Sequence, residues 1–160
     1  MNIEMNDYLV ELAKKAAINS ELIQKHASIL ITDDMIITGY NHFTNGNGRN
    51  SVTVHAEEDA INNFIAWCRK KYYGDAYIRR RLRRALLITI RVKKGIVKCS
   101  APCLNCIEII KGYGIRQIIY SEIDENDNTF YIQKKSRDLS NRQSSGYRWL
   151  SRQNSSRLHT

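Results

Sequence analysis

Two short motifs constrain the fold of this chain more than any other feature of its sequence. His55 and Glu57 stand in the first, H-A-E, and Cys103 and Cys106 stand in the second, P-C-L-N-C. One imidazole and two thiolates form a ligand set for a catalytic zinc ion, which keeps its fourth tetrahedral position for water. The fold must therefore bring two segments that lie far apart in the sequence to a single metal.

The four cysteines do not indicate two disulfides. The first residues carry an acid where a signal peptide needs basic and apolar residues, so we expect no secretory signal. In that setting the close spacing of Cys103 and Cys106 is typical of metal-binding or redox sites, and nothing supplies a thioredoxin-like context. Cys68 is expected to be a packed thiol on a helix. Cys99 is either an inert thiol or a reactive neighbour of the site.

The combination of H-x-E with P-C-x-x-C resembles the signature of the zinc-dependent nucleobase deaminases. The chain is similar to the cytidine and deoxycytidylate deaminase family over residues 6–132. This resemblance implies a three-layer α/β/α cytidine-deaminase-like fold with a mixed sheet of about five strands. It also implies a Zn²⁺ cofactor on His55, Cys103 and Cys106, with Glu57 as the catalytic acid and base rather than a ligand.

The same resemblance implies three substrate contacts. Asn41 ends the segment G-Y-N and matches an asparagine that meets the ribose of the substrate. The N–H of Ala56 is expected to meet the pyrimidine carbonyl, and the carbonyl of Ala101 is expected to accept from the exocyclic amine. In deoxycytidylate deaminases a glycine and a proline usually follow the asparagine, whereas here His42 and Phe43 follow it.

Apolar periodicity predicts helices on both faces of a mixed sheet. Asn6 or Asp7 caps a first helix, a second begins at Ala56, and residues 100–103 open a third, with a proline near its first position. Parallel pairing is expected to bring the starts of the second and third helices together. The predicted strands cover residues 28–32, 35–40, 85–90, 96–97, 117–120 and 129–132.

The net charge of +9 is unevenly placed, with −5 on residues 1–68 and +14 on residues 69–160. This asymmetry indicates either a phosphate-bearing partner, such as a nucleic acid, or a solvated basic surface. The most basic segment follows a predicted helix break at residues 72–75, and its tyrosines could stack on bases. A solvated amphipathic turn or a subunit contact is the alternative. Its five arginines are Arg79, Arg80, Arg81, Arg83 and Arg84.

Composition divides the chain into a zinc-dependent deaminase domain, residues 1–133, and a basic tail, residues 134–160. The tail is expected to be partly disordered, or to pack back through Trp149. No apolar run approaches the roughly 20 residues of a membrane span. We therefore expect a cytoplasmic protein without a membrane partner, with a nuclear location as the alternative, and the family implies a homo-oligomer.

Three functions are compatible with these observations. The first is conversion of the cytosine of a pyrimidine nucleoside or nucleotide, such as deoxycytidylate, to uracil with release of ammonia. The second is deamination of a base within RNA or DNA, which the arginines and the basic tail favour. Its tRNA-adenosine version is disfavoured, because Ser100-Ala101 stands where those enzymes have L-E. The third is a zinc-stabilised binding module without catalysis, against which Glu57 argues.

Overall fold

A mixed β-sheet forms the centre of the structure, a computed structural model that describes residues 4–44 and 52–140. The helices are α1 (Asp7–Ala17), α2 (Ala56–Lys70), α3 (Asp75–Arg84) and α4 (Leu104–Gly112). The strands are β1 (Lys25–Ile31), β2 (Ile36–Tyr40), β3 (His42–Phe43), β4 (Thr53–Val54), β5 (Leu86–Lys93), β6 (Ile96–Lys98), β7 (Gln117–Ile123) and β8 (Thr129–Lys135).

The strand order in the main sheet is β2-β1-β5-β7-β8, with β6 paired to β5. Strands β3 and β4 form a separate two-stranded sheet. Among the described strands, β5 and β7 are the one parallel pair, and α4 lies in the connection between them. The predicted α/β class and mixed sheet are confirmed, and β6 adds a sixth strand to the five on the main path.

Helices cover both faces of the sheet because its central strands are apolar on both sides. Successive side chains of a strand point to opposite faces. Accordingly, Ile29 and Ile88 pack with Leu9 of α1 on one side. Leu30 and Leu87 pack with α2 and α4 on the other side. The predicted three-layer arrangement is thus the observed one.

Local signals in the sequence place several element boundaries correctly. The backbone N–H of Leu9 donates to the Asn6 carboxamide at 3.0 Å, so Asn6 is the N-cap of α1. The turn that joins β5 to β6, between the strands predicted at 85–90 and 96–97, has positive φ at Lys94 (51°) and Gly95 (76°). Two such residues in a row are what a tight hairpin with a type I′ turn requires.

The arginine-rich segment, for which a solvated amphipathic turn was one of the expected alternatives, forms helix α3. Residues 75–84 are helical, and Ile78 and Leu82 are buried in the core that α2 and α4 share. These two residues stand four apart and form a narrow apolar stripe. The remaining positions of the helix are mostly charged, so the stripe is hidden in the sequence by the arginines around it.

The start of α4 also differs from the prediction. The helix begins at Leu104 with Cys103 as its N-cap, whereas residues 100–103 were expected to be its first turn. Ser100 is held by the sheet instead: its hydroxyl donates to the Thr89 carbonyl at 2.7 Å and accepts from the Ser121 N–H at 2.9 Å. Because these bonds tie Ser100 to β5 and β7, the segment before Cys103 stays outside the helix.

Strand β8 continues to Lys135, and Leu139 beyond it is buried against the α2 and α4 side of the core. The division of the chain between residues 133 and 134 stays a prediction. Trp149 and the rest of the predicted tail after residue 140 lie outside the described residues. Within the described ranges, none of the helices combines the length and the apolar character that crossing a bilayer demands.

Candidate active site

Two helix starts bring the predicted metal ligands together. His55 is the N-cap of α2, and Cys103 is the N-cap of α4, which carries Cys106 in its first turn. The His55 Nδ1 atom lies 3.1 Å from the Cys106 sulfur and 3.5 Å from the Cys103 sulfur. The three ligand atoms all lie within 4.8 Å of one another. The cysteines are free thiols, so the sulfurs are available to a metal.

This cluster fits a zinc ion. Zinc binds sulfur at about 2.3 Å and nitrogen at about 2.0 Å, which puts the two atoms about 3.5 Å apart in a tetrahedron. The separations of 3.1 and 3.5 Å between His55 Nδ1 and the two sulfurs are close to that edge. Neither His55 nor Cys103 uses its side chain to cap its own helix, so both side chains can turn toward the cluster.

The electrostatics of the cluster favour a bound cation. The pKa of Cys103 falls to about 4, chiefly because the Cys106 thiol hydrogen-bonds to its sulfur and secondarily because His55 does. The pKa of Cys106 is raised by that same bond to Cys103 and by burial. The pKa of His55 is raised by its hydrogen bond to Cys103. The cluster therefore holds protons between its ligand atoms, and a divalent ion would displace them.

Glu57 is buried directly beside the cluster, with 5% of its surface exposed. Its carboxyl group hydrogen-bonds with the Cys106 thiol and with its own backbone N–H. Burial raises the pKa of the Glu57 carboxyl above its usual range. A buried carboxyl group beside a metal site is well placed to take up a proton and release it again.

A pocket of about 390 Å³ opens onto these residues. Among the residues that line it are His55, Glu57 and Cys103, together with the three predicted substrate contacts, Asn41, Ala56 and Ala101. Asn41 is only 7% exposed. Its oxygen accepts from the His26 N–H at 2.7 Å and its nitrogen donates to the Gln24 carbonyl at 2.6 Å, so Asn41 also anchors β1 to the pocket wall.

Comparison with known proteins shows the family. The family described as the cytidine and deoxycytidylate deaminase zinc-binding region matches residues 3–122. The chain belongs to this family. Its match covers most of the sequence and includes both motifs, so the predicted Zn²⁺ cofactor is confirmed along with the deaminase resemblance. No curated protein matches the sequence.

Solved cytidine deaminases share the fold at low sequence identity. The cytidine deaminase from Burkholderia pseudomallei superposes with a TM-score of 0.59 at 18% identity, over 84% of this chain and 96% of the other. The cytidine deaminase from Mycobacterium tuberculosis does so with a TM-score of 0.50 at 16% identity, over 84% of this chain and 94% of the other. At such identities the likeness establishes the fold.

Sequence reasoning missed several residues of this deaminase pocket, of which His26 is the most distinctive. His26 lies on β1 and lines the pocket beside Asn41. Burial, and secondarily the charge of Arg91, lowers the pKa of His26 to about 4, so its ring is neutral at physiological pH. Its position just before a buried apolar run gave no functional signal, because polar residues commonly flank strands.

The five arginines of α3 do not line this pocket. Arg81 donates to Asp34 and Tyr77. Arg84 pairs with Asp33 at 3.1 Å, and Arg80 lies over the Tyr77 ring at 5.6 Å. The remaining two, Arg79 and Arg83, line a separate groove.

Proposed function

We propose that the protein hydrolyses the amino group of the cytosine base in a nucleoside or nucleotide, which yields a uracil base and ammonia. The observation that carries this proposal is the buried Glu57 beside the three-ligand cluster, within a pocket large enough for a small molecule. A pocket of about 300–1,000 Å³ is typical of small-molecule sites. Family membership supports zinc-dependent deamination of cytosine. That the cytosine belongs to a free nucleoside or nucleotide is the proposal.

In this proposal His55, Cys103 and Cys106 hold the zinc ion. When bound, zinc acts as a Lewis acid and lowers the pKa of a coordinated water toward ~7. Two thiolates donate charge to the metal and weaken that effect, so a neighbouring carboxylate must assist. Glu57 is the one that lies against the cluster, through its hydrogen bond to Cys106.

Glu57 then serves as the proton carrier of the reaction. Its carboxylate takes the proton of the attacking water as the oxygen bonds to the carbon that bears the amino group. The same carboxyl returns that proton to the ring nitrogen. It then takes the remaining proton from the hydroxyl group of the tetrahedral intermediate and delivers it to the amine, so that the carbonyl forms as the carbon–nitrogen bond breaks with loss of ammonia. The raised pKa of the buried carboxyl suits both directions of transfer.

Backbone groups orient the base. Ala56 is fully buried and carries no side chain that would shield its N–H, which is proposed to donate to the pyrimidine carbonyl. The Ala101 carbonyl is proposed to accept from the exocyclic amine. Asn41 keeps one N–H and one lone pair beyond its bonds to Gln24 and His26, and these are proposed to meet a ribose hydroxyl.

A base within single-stranded RNA or DNA is the second candidate substrate. The observation that favours it is the charge of +14 on residues 69–160, since nucleic acids bind largely through their phosphates. It ranks second because the basic helix α3 does not contribute to the lining of the pocket.

An ammonia-release assay on the zinc-loaded protein tests the proposal. The panel comprises cytosine, cytidine, deoxycytidine, their monophosphates, guanine, adenosine, and single-stranded DNA and RNA. We expect release from at least one cytosine nucleoside or nucleotide, with the matching uracil compound as product. Activity on a polymer without activity on any monomer would replace the first candidate with the second, and release from guanine or adenosine alone would refute both.

A further inference from the structure

We propose that a groove at the far end of α2 and α4 binds the phosphate backbone of a single-stranded nucleic acid through Arg69, Arg79 and Arg83. The groove encloses about 920 Å³ and lies between the end of α2, one side of α3 and the turn after α4. Its floor contains Ile65 and Ile78. This binding site is separate from the proposed deamination, and it stands or falls independently of it.

The three arginines are available for a ligand. Within residues 4–44 and 52–140, no side-chain hydrogen bond or ion pair ties the guanidinium group of Arg69, Arg79 or Arg83 to another residue. Their neighbours on α3 are engaged, since Arg81 bonds to Asp34 and Arg84 pairs with Asp33. Helix α3 therefore uses one side for structural ion pairs and leaves its groove side unpaired.

The ends of α2 and α4 do not need these arginines for capping hydrogen bonds. Cations commonly gather at the carboxyl ends of helices, where free carbonyls and the dipole attract them. At the end of α4, however, the carbonyls of residues 109, 110 and 111 already accept from the N–H groups of residues 113, 115 and 114. At the end of α2, the carbonyls of residues 67, 68 and 69 accept from the N–H groups of residues 71–73.

The turn after α4 is shaped to admit an arginine side chain. Gly114 has a φ of +76°, and a Cβ atom there would stand 3.0 Å from the Cγ atom of Arg83. The missing side chain lets the stem of Arg83 lie against the turn. Next to it, Tyr113 is 37% exposed and lines the same groove as the three arginines.

The chemistry of the lining favours nucleic acid over other anions. The charged residues that line the groove are three arginines and a single acid, Asp75, so the lining carries a net positive charge. Guanidinium groups bind phosphates in a bidentate manner and stack on bases, and an exposed aromatic ring gives unpaired bases a stacking surface. Lysines 70, 71 and 111 stand near these elements in the sequence but do not line the groove, so its cations are the residue type that suits phosphate best.

The groove lies well away from the pocket. Helix α2 has 15 residues, which corresponds to about 22 Å at about 1.5 Å per residue. His55 is at one end of this helix and Arg69 is in its last turn at the other. A strand bound in the groove therefore leaves the pocket open, so the site can either tether the protein to nucleic acid or hold a polymer whose distal base reaches the pocket.

Binding of a labelled single-stranded oligonucleotide of mixed sequence to the full chain, followed by fluorescence anisotropy at several salt concentrations, tests the groove. The test variant is Arg79→Ala with Arg83→Ala. The matched control is Arg80→Ala with Arg84→Ala, which removes the same charge from the same helix outside the groove. We expect the test variant to bind about tenfold more weakly, with a salt slope lower by about 1.4. We expect the control to stay within about twofold of the parent chain.

Several outcomes would overturn the site. Equal weakening by both double variants would mean diffuse attraction to a basic surface, and absence of binding by the parent chain would remove the proposal altogether. Competition by polyglutamate as strong as by unlabelled oligonucleotide would assign the groove to an acidic protein. The Arg79→Lys, Arg83→Lys variant should fall between the parent and the alanine variant, because it keeps charge and loses the bidentate fork. Unchanged deamination of monomers by all variants separates this test from that of the proposed function.

Discussion

The two ends of α2 and α4 differ in the chemistry of the residues that they carry. At their amino ends, His55, Cys103 and Cys106 lie within 4.8 Å of one another, and Glu57 is buried beside them. At their carboxyl ends, Arg69 and arginines of α3 line an open groove. The helix dipole suits both, since its positive end favours thiolates and its negative end tolerates cations. The same pair of helices thus separates the proposed catalytic site from the proposed binding surface.

Glu57→Gln should give the largest effect at the pocket end. The amide cannot carry the proton between water, ring nitrogen and amine, so we expect deamination to fall by about 10²–10⁴-fold. Zinc content, measured by inductively coupled plasma mass spectrometry, should stay at the parent level. Glu58→Gln is the matched control, because Glu58 follows in the same helical turn and does not line the pocket. A parent rate in Glu57→Gln with zinc retained would refute the proton-carrier role.

Cysteines at the two ends of the helices give the next contrast. Cys106→Ala should abolish zinc binding and lower the free energy of unfolding by roughly 4 kcal/mol when free zinc is a thousandfold above its Kd. Cys68→Ala removes a thiol that is equally buried, in the last turn of α2, and should cost only about 1 kcal/mol. Thermal melts with and without a chelator measure both. A chelator that lowers the melting temperature of Cys106→Ala as much as that of the parent would place the metal elsewhere.

Two glycines provide the smallest contrast. A Cβ atom at Gly39 would stand 2.2 Å from the Ala60 nitrogen, in the backbone of α2. Gly39→Ala should therefore destabilise the protein by about 1–3 kcal/mol. Gly112 has open space around it and is helical, so Gly112→Ala should stabilise by about 0.5–1 kcal/mol. Urea denaturation measures both, and equal costs would mean that the pocket end is no more tightly packed than the groove end.

The metal cluster could be predicted from sequence because few side chains can do its chemistry and their motif spacing is narrow. The continuous apolar, β-branched runs likewise predicted strands that are buried on both faces. Helix α3 was not predicted, because its apolar stripe consists of only two residues, Ile78 and Leu82, among five arginines. The start of α4 at residue 104 was not predicted, because Ser100 is held outside the helix by tertiary hydrogen bonds that local sequence preferences do not reveal.

The sequence of the arginine-rich segment also could not show which of its arginines form ion pairs and which line the groove. Arg81 and Arg84 find acidic partners between β1 and β2, at Asp34 and Asp33. That pairing depends on how α3 packs against the sheet, which the sequence pattern does not encode locally. The groove therefore could not be predicted without knowing how α3 packs. The position of His26 in the pocket likewise depends on tertiary packing, which brings β1 to the pocket wall.

The hydroxyl of Ser100 has a consequence for protein engineering. It joins β5 to β7 just before the P-C-x-x-C segment, while the Ser121 hydroxyl donates to the Lys98 carbonyl at 2.7 Å. A graft of the two cysteines alone into an unrelated scaffold would lack Ser100 and Ser121. The graft would then lack the hydrogen bonds that fix the segment before Cys103. The two-cysteine half of the site therefore needs residues 89–121, and His55 must be supplied by a second segment.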